Sequence, residues 1–270
     1  MIEPSPAVTD AAWEAASRPM RRIGHTIETH ASIGSTNDRA RELLALPDGD
    51  GRVVVAEEQT AGRGRRGREW LSPPGRNLLV SVALRPRLAA QDAWQLGLAT
   101  ALAAADACVA VAPIALKWPN DLVSATDGRK AGGLLIETMA EGDRLSGAVV
   151  GIGINVNWRL DAMPQALRGT ATSLADLAGA PVDRVALLGR LLAALETELD
   201  AIEAGRSPLE RYRARCSTLG RTVTVATADG SVTGRAVDLD ASGALVVEAE
   251  DGRHVVSSGE VVQPAPGSAA

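Results

Sequence analysis

Four arginines fall within six residues of this chain: Arg63, Arg65, Arg66 and Arg68, interleaved with Gly62, Gly64 and Gly67 and closed by Trp70. The chemistry open to such a segment is anion binding. Guanidinium groups present rigid, forked donors to phosphate or carboxylate oxygens. Glycines let backbone N–H groups approach a ligand closely and adopt positive φ. The whole chain carries a formal net charge of −5, so the local field opposes the global one. A solvated basic surface loop would account for the charge, but for neither the glycine spacing nor the tryptophan.

The same glycines satisfy the G-x-G-x-x-G spacing of a dinucleotide-binding turn, and the run VVVAEE just upstream reads as a strand. The continuation argues against that reading. A dinucleotide turn opens directly into an apolar helix, whereas EWLSPPGRN, with its two prolines and a glycine, forms a loop.

A second signal lies in residues the chain hardly uses. Lys117 and Lys130 are the only lysines, and Asn37, Asn77, Asn120, Asn155 and Asn157 the only asparagines. Phenylalanine is absent and tyrosine occurs once. Where so biased a composition keeps a lysine or an asparagine, a specific side chain is expected. All of these positions fall between 37 and 157, mostly in glycine-rich or turn-like segments.

These residues need elements to position them. Residues 24–30 read as a first strand, followed by the turn ASIGSTN. Ser35, Thr36 or Asn37 can cap the helix NDRARELLAL, whose Ala40, Leu43 and Leu44 form an apolar stripe. On that reading alone, Ser-Thr-Asn is a helix cap and nothing more. NLLVSVALRP (77–86) reads as a buried strand. The alanine-rich stretch 93–114 carries Gln95 and Asp106, so it reads as a core helix packed on a sheet rather than a membrane span. IALKWPND (114–121) is a short strand that Pro119 stops, leaving Asn120 and Asp121 at its end. A hairpin follows, with the turn TDGR and a strand from Lys130 to about Met139. Residues 144–158 form another strand, in which Gly151 and Gly153 allow close backbone approach. Residues 183–205 form an amphipathic helix with Val185, Leu188, Leu192, Leu195, Leu199 and Ile202 on one face. From Leu219 onward, β-branched runs alternate with Asp-Gly and Ser-Gly turns, the pattern of a small β-barrel of SH3 size.

The expected organisation is therefore a flexible segment over 1–22, with one short helix around Trp13, a catalytic domain over 23–218 and an SH3-like domain over 219–264, with a disordered tail. At 270 residues, 46% hydrophobic and 23% charged, the chain has an ordinary globular balance. Cys108 and Cys216 lie far apart without metal-ligand spacing, so a reduced, cytoplasmic protein is expected. The histidines His25, His30 and His254 are scattered, which argues against zinc. The first residues lack the apolar core of a signal peptide and are too few for a three-helix DNA-binding unit.

Taken in order, the S-T-N turn, QTAGRGRRGREW, KWPND, RKAGGLLIE and GIGINVN resemble the biotin protein ligase family over residues 30–265. The resemblance implies an α+β fold: a mixed-sheet, class II synthetase-like catalytic domain followed by a C-terminal SH3-like β-barrel. It implies that biotin and ATP, with Mg²⁺, give biotinyl-5′-AMP and pyrophosphate. Biotin then passes to a lysine of a biotin carboxyl carrier protein domain. It further implies a monofunctional, cytoplasmic ligase, a monomer or weak homodimer, with no specific DNA and no membrane as partner.

Under that resemblance the residues acquire roles. Lys130 would place a compact charge on the biotin carboxylate and α-phosphate, offsetting the repulsion between two anions. Arg63 and Arg65 would hold phosphates from a loop that orders on binding. Ser35, Thr36, Asn37, Gln59, the backbone of Gly62 and Gly64, and Gly133 would surround biotin. Trp70 would cover the ligand and exclude water. Lys117, Asn120, Gly153 and Asn155 would line the nucleotide side, Lys117 being open equally to a structural ion pair. Asp121 would meet Mg²⁺ or the incoming lysine. Two other readings stand beside this one. A lipoate–protein ligase shares the fold and reaction logic, though the arginine-rich loop favours biotin. A nucleic-acid module would explain a basic loop with an SH3-like barrel, but the sequence pI is near 5.4 and only Trp70 interleaves with the arginines.

Overall fold

In the computed structural model, residues 8–16, 20–227 and 230–262 are described. The expected tail over 263–270, with residues 1–7 and 17–19 of the expected flexible segment, lies outside them. Seven strands form one mixed sheet in the order β1-β2-β3-β7-β6-β5-β4. They are β1 (Ile27–His30), β2 (Val53–Ala56), β3 (Leu78–Leu84), β4 (Ile114–Lys117), β5 (Asp121–Ser124), β6 (Lys130–Glu141) and β7 (Arg144–Ile154). β1 and β2 are parallel, joined through a helix, and the remaining neighbours are antiparallel.

Three helices cover the sheet. Helix α1 (Asp10–Ala15) buries Trp13, and Thr9 caps it. This part of the N-terminal segment is packed on the core, because an indole of that size has more to gain from burial than the short helix loses in chain entropy. Helix α2 (Thr36–Leu44) lies on one face, where Ala40, Leu43 and Leu44 meet Val54, Ala83 and Val149. Helix α3 (Trp94–Val109) lies on the other, in the main core. Period-two alternation sorts the strand residues between these faces. Leu78, Val80, Val82 and Leu84 of β3 enter the main core, and Ala148, Val150, Ile152 and Ile154 of β7 join them. Ser81, Gly151 and Gly153 alternate with those residues and so face the α2 side.

Short helices α4 (Gln165–Arg168) and α5 (Leu174–Ala178) fill the connection after β7, followed by α6 (Arg184–Glu203) and α7 (Leu209–Arg215). Asp183 caps α6 by accepting from the backbone N–H of Val185 at 2.8 Å and Ala186 at 3.1 Å. Leu188, Leu192, Leu195, Leu199 and Ile202 are buried as the heptad pattern requires, while Val185 is only partly so. Leu187 and Leu191 are fully buried as well. The buried face is wider than one stripe because α6 packs on α3 as well as on the remainder of the core. No helix of the described residues is long and apolar enough to cross a membrane.

The C-terminal strands β8 (Thr222–Ala226), β9 (Ser231–Leu239), β10 (Leu245–Ala249), β11 (Gly252–Val256) and β12 (Glu260–Val262) form an antiparallel sheet in the order β11-β10-β9-β8-β12. A polar seam fastens it to the end of β4. The N–H of Ser217 donates to Leu116 O at 2.7 Å, that of Trp118 to Thr218 Oγ1 at 3.0 Å, and the Trp118 indole to Gly243 O at 3.0 Å. The tryptophan of the K-W-P-N-D segment thus joins the two sheets.

Candidate functional site

A cavity of ≈ 290 Å³ opens on the α2 side of the large sheet. Gly133 of β6 and Gly151 and Gly153 of β7 line it, leaving the sheet surface bare of side chains there. The bareness is required by close neighbours. A Cβ on Gly153 would lie 2.7 Å from the Trp70 ring, one on Gly133 would lie 3.1 Å from it, and one on Gly151 would overlap Asn37 Oδ1.

One end of the cavity is formed by the start of α2. Ser35 occupies the N-cap position, yet its side chain makes no capping hydrogen bond. Gln59 Oε1 instead accepts from the Thr36 backbone N–H at 2.8 Å and from Thr36 Oγ1 at 3.0 Å. The Ser35 hydroxyl lies in the cavity wall, with no hydrogen-bond partner among the described residues. Asn37 also lies in the wall, but its amide is committed: Nδ2 donates to Glu137 at 2.7 Å, and Oδ1 accepts from Ser81 at 2.6 Å.

The glycine-arginine segment forms the cover. It is a small hairpin. Gly64 N donates to Arg68 O at 2.7 Å and Trp70 N to Gly62 O at 2.9 Å, and Arg63 pairs with Glu69. Arg66 at φ 58° and Gly67 at φ 73° make its left-handed turn. Gly62 does not line the cavity, and its lack of a side chain lets the two arms approach: a Cβ there would lie 2.8 Å from Trp70 O.

The arginines divide their work. Arg63 holds Asp38 of α2 through two bonds of 2.7 and 2.6 Å, and these hydrogen bonds keep the Asp38 carboxyl below its usual pKa. Arg66 donates to Ala226 O of β8 at 2.9 Å, and Arg68 pairs with Glu260 of β12. Arg63 and Arg68 also border the cavity, but Arg65 is the most buried of the four arginines. It donates to Asn120 Oδ1 at 3.2 Å, and its burial lowers its pKa.

Lys130 completes the cationic end. Its backbone is gripped on both sides by the 170–172 segment: Lys130 N donates to Thr170 O at 2.8 Å, and Thr172 N to Lys130 O at 2.9 Å. Its ammonium lies 2.7 Å from Asp121 Oδ1 and 5.5 Å from the centre of a Trp70 ring. Asp121 and Lys117 stand outside the main cavity, in a smaller cleft that adjoins it through Arg65, Arg68 and Asn120. The Lys117 side chain makes no hydrogen bond or close ion pair among the described residues, although Asp121 attracts its charge. Burial lowers its pKa, against the opposing charge of Asp121.

The asparagine signal has a physical cause in the backbone around the cavity. Asn155 lies in the wall, but its amide donates to Thr172 O at 3.1 Å and accepts from Asn77 at 3.4 Å. Asn77 accepts from Val156 N, Asn157 closes two bonds of 2.9 Å with the Val182 backbone, and Asn120 donates to Leu134 O at 2.9 Å. These amides brace the backbone around the cavity, each supplying a donor and an acceptor on one short side chain.

Sequence reasoning missed the apolar end of the cavity, made by Trp158, Leu167 and Ala171. Trp158 follows the G-I-G-I-N-V-N run and carried a signal. Leu167 and Ala171 come from a stretch with no periodic pattern and carried none. No group of His, Cys, Asp and Glu among the described residues is arranged to hold a metal ion, and Asp121 is already paired with Lys130.

Residues 30–155 match the biotin/lipoate A/B protein ligase family, and residues 218–262 the biotin protein ligase C-terminal domain. The chain is similar to the biotin–[acetyl-CoA-carboxylase] ligase of Mycobacterium tuberculosis, 37% identical over 245 residues that cover 87% of this chain and 88% of the relative. It is similar also to a bifunctional ligase/repressor of Bacillus spizizenii, 35% identical over 85% of this chain and 71% of the relative. A solved biotin protein ligase from Aquifex aeolicus, in complex with biotin and ATP, aligns at a TM-score of 0.74 and 30% identity, covering 89% of this chain and 99% of that one. Since the same relatives account for both the large sheet and the C-terminal one, the chain belongs to the biotin protein ligase family.

Proposed function

We propose that this protein joins biotin to ATP and then transfers biotin to a lysine of a biotin carboxyl carrier protein domain. The observation that carries this reading is the polarity of one continuous cavity. A neutral hydrogen-bonding end at Ser35, Thr36 and Gln59 suits a ureido ring, and a cationic end at Lys130 and Arg65 suits a carboxylate beside a phosphate. In the first step a carboxylate oxygen of biotin attacks the α-phosphorus, and the bond to the β-phosphate oxygen breaks, releasing pyrophosphate. Lys130 and Arg65 offset the charge that the two anions bring together. Trp70 screens the resulting mixed anhydride from water. In the second step the amine of the acceptor lysine attacks the anhydride carbonyl and AMP leaves. Asp121, beside Lys130, takes the proton of that amine.

The nucleotide's base and ribose would lie toward Asn155, Gly153, Trp158 and Leu167, with Lys117 and Asn120 on the phosphate side. Mg²⁺ is best read as part of the MgATP substrate, since Mg²⁺ is usually held by one or two carboxylates together with substrate phosphates, and the residues here build no cage of their own. We read the C-terminal sheet as an SH3-like unit beginning near residue 219. The two buried free thiols, Cys108 and Cys216, support a cytoplasmic location.

The test is pyrophosphate release from the purified chain with MgATP and either biotin or lipoate. Release with biotin, and little with lipoate, is the expected outcome. Equal release with lipoate, or none with biotin, would overturn the reading.

A further inference from the structure

Arg184 lies at the first turn of α6, away from the cavity, and only 4% of its side chain is exposed. Nothing in the reaction chemistry calls for it. Its guanidinium nevertheless binds both stems of the cover segment. Toward the entrance, Nη1 donates to Glu57 Oε2 at 2.7 Å and Nη2 to Glu57 Oε1 at 3.3 Å. Toward the exit, the same Nη1 donates to the backbone oxygen of Asn77 at 3.1 Å. The segment between these stems holds Gln59, the four arginines and Trp70. It closes on itself at the same place, because Gly75 N donates to Glu57 O at 3.0 Å. Trp13 of α1 lies against the guanidinium, its ring centre 5.4 Å from Arg184 Cζ.

We infer that Arg184 is a positioning residue for the cover segment, and that α1, through Trp13, strengthens its grip. The physical argument runs from the geometry of the fork. A planar guanidinium can bond a carboxylate and a carbonyl in one plane, which fixes the separation of two stems, whereas an ammonium is a point charge and cannot. The indole face stabilises the cation without competing for its donors. Gln59 is two residues beyond Glu57, and its Oε1 accepts from both the N–H and the hydroxyl of Thr36, so a stem that shifts at Glu57 also shifts the polar end of the cavity. The N-terminal helix, which touches no part of the cavity, is thereby coupled to how long the cavity holds its ligand.

This inference rests on the ligase reading only for the identity of the ligand retained. The experiment therefore has an arm that does not depend on it. The tip of the cover carries Arg63, Arg65, Arg66 and Arg68, so trypsin reports its opening directly, and at low protease the cleavage rate follows the open population. Arg184→Lys keeps the charge and loses the fork. Cleavage within 63–68, mapped by mass spectrometry, should rise about tenfold, the factor expected when one charge-assisted bond is lost. Release of biotinyl-AMP from the full chain should speed up about tenfold, while single-turnover adenylation at saturating biotin and MgATP stays within about threefold. Trp13→Leu, which fills much of the volume without an aromatic face, should raise loop cleavage about threefold, and Trp13→Phe should restore it. If Arg184→Lys folds poorly, the Trp13 pair carries the test alone. A fall in melting temperature with loop cleavage unchanged, or a Trp13→Phe variant no better than Trp13→Leu, would overturn the inference. Altered cleavage with no adenylation by the parent chain would leave the positioning role standing and sink the ligase reading instead.

Discussion

At the scale of single residues, the cover segment shows why four similar side chains are not interchangeable. Arg63, Arg66 and Arg68 are each committed to a different element, α2, β8 and β12. Arg65 alone of the four combines partial burial with a face on the cavity, and among the described residues its side chain has only the neutral Asn120 as hydrogen-bond partner. Arg65→Gly should therefore weaken retention of biotinyl-AMP more than its synthesis, because Lys130 remains to offset charge in the first step. One lost charge-assisted contact is worth about 1.5–3 kcal/mol, which shortens residence roughly ten- to hundredfold if it acts on release. The released anhydride acylates exposed lysines without regard to sequence. Incubating the variant with biotin, ATP and albumin and blotting for biotin measures this, with Arg66→Gly as the control expected to leave albumin unlabelled. Absence of all labelling by Arg65→Gly would place Arg65 in the adenylation step itself, and equal labelling by both variants would remove the distinction between them.

At the scale of elements, the cavity depends on strands that give up their side chains. Gly151 and Gly153 stand two residues apart on β7, yet substituting them should have opposite consequences. A Cβ on Gly153 meets Trp70, which belongs to a hairpin that can lift, so Gly153→Ala should raise the KM for MgATP about tenfold or more with little change in melting temperature. A Cβ on Gly151 meets Asn37 Oδ1, whose amide is held by Ser81 and Glu137 and cannot retreat. Gly151→Ala should accordingly lose about 1–3 kcal/mol of stability, the usual consequence of overpacking. Thermal melts beside steady-state kinetics separate the two, and identical behaviour would show that neither neighbour controls the outcome. This distinction was not legible in the sequence, where both glycines read alike as sites of close approach. The strands, the principal helices and the K-W-P-N-D and glycine-arginine segments were legible, because apolar periodicity and rare residue types report local needs. The hairpin form of the cover, the apolar end at Leu167 and Ala171 and the short helices α4, α5 and α7 were not. They depend on partners distant in sequence, such as Glu260 for Arg68 and Thr170 for Lys130, which no local pattern encodes.

At the scale of the whole molecule, two sheets share one interior. A single buried cluster runs from Trp13 and the sheet residues Val80 and Ile152, through Leu116 and Trp118, to Val223, Leu239 and Val256 of the C-terminal sheet. The seam beside it is made of backbone and indole donors, with Trp118 bonded to both Thr218 and Gly243. The exposed Arg68–Glu260 pair adds little, since such surface pairs contribute about 0–1 kcal/mol. Cooperativity therefore comes from the shared apolar core, and the two sheets should unfold together. Calorimetry of the full chain should give one peak, with calorimetric and van't Hoff enthalpies agreeing within about 10%. Because the cover segment touches both sheets, biotin with MgATP should move that single peak as a whole. A ligand present at about 1,000 times its dissociation constant adds roughly 4 kcal/mol of apparent stability. Biotin alone should shift it less, since it reaches only one end of the cavity. Two resolved peaks, of which only one responded to ligand, would show that the C-terminal sheet is an independent unit. In that case the contact from Arg68 to β12 would be incidental to ligand retention.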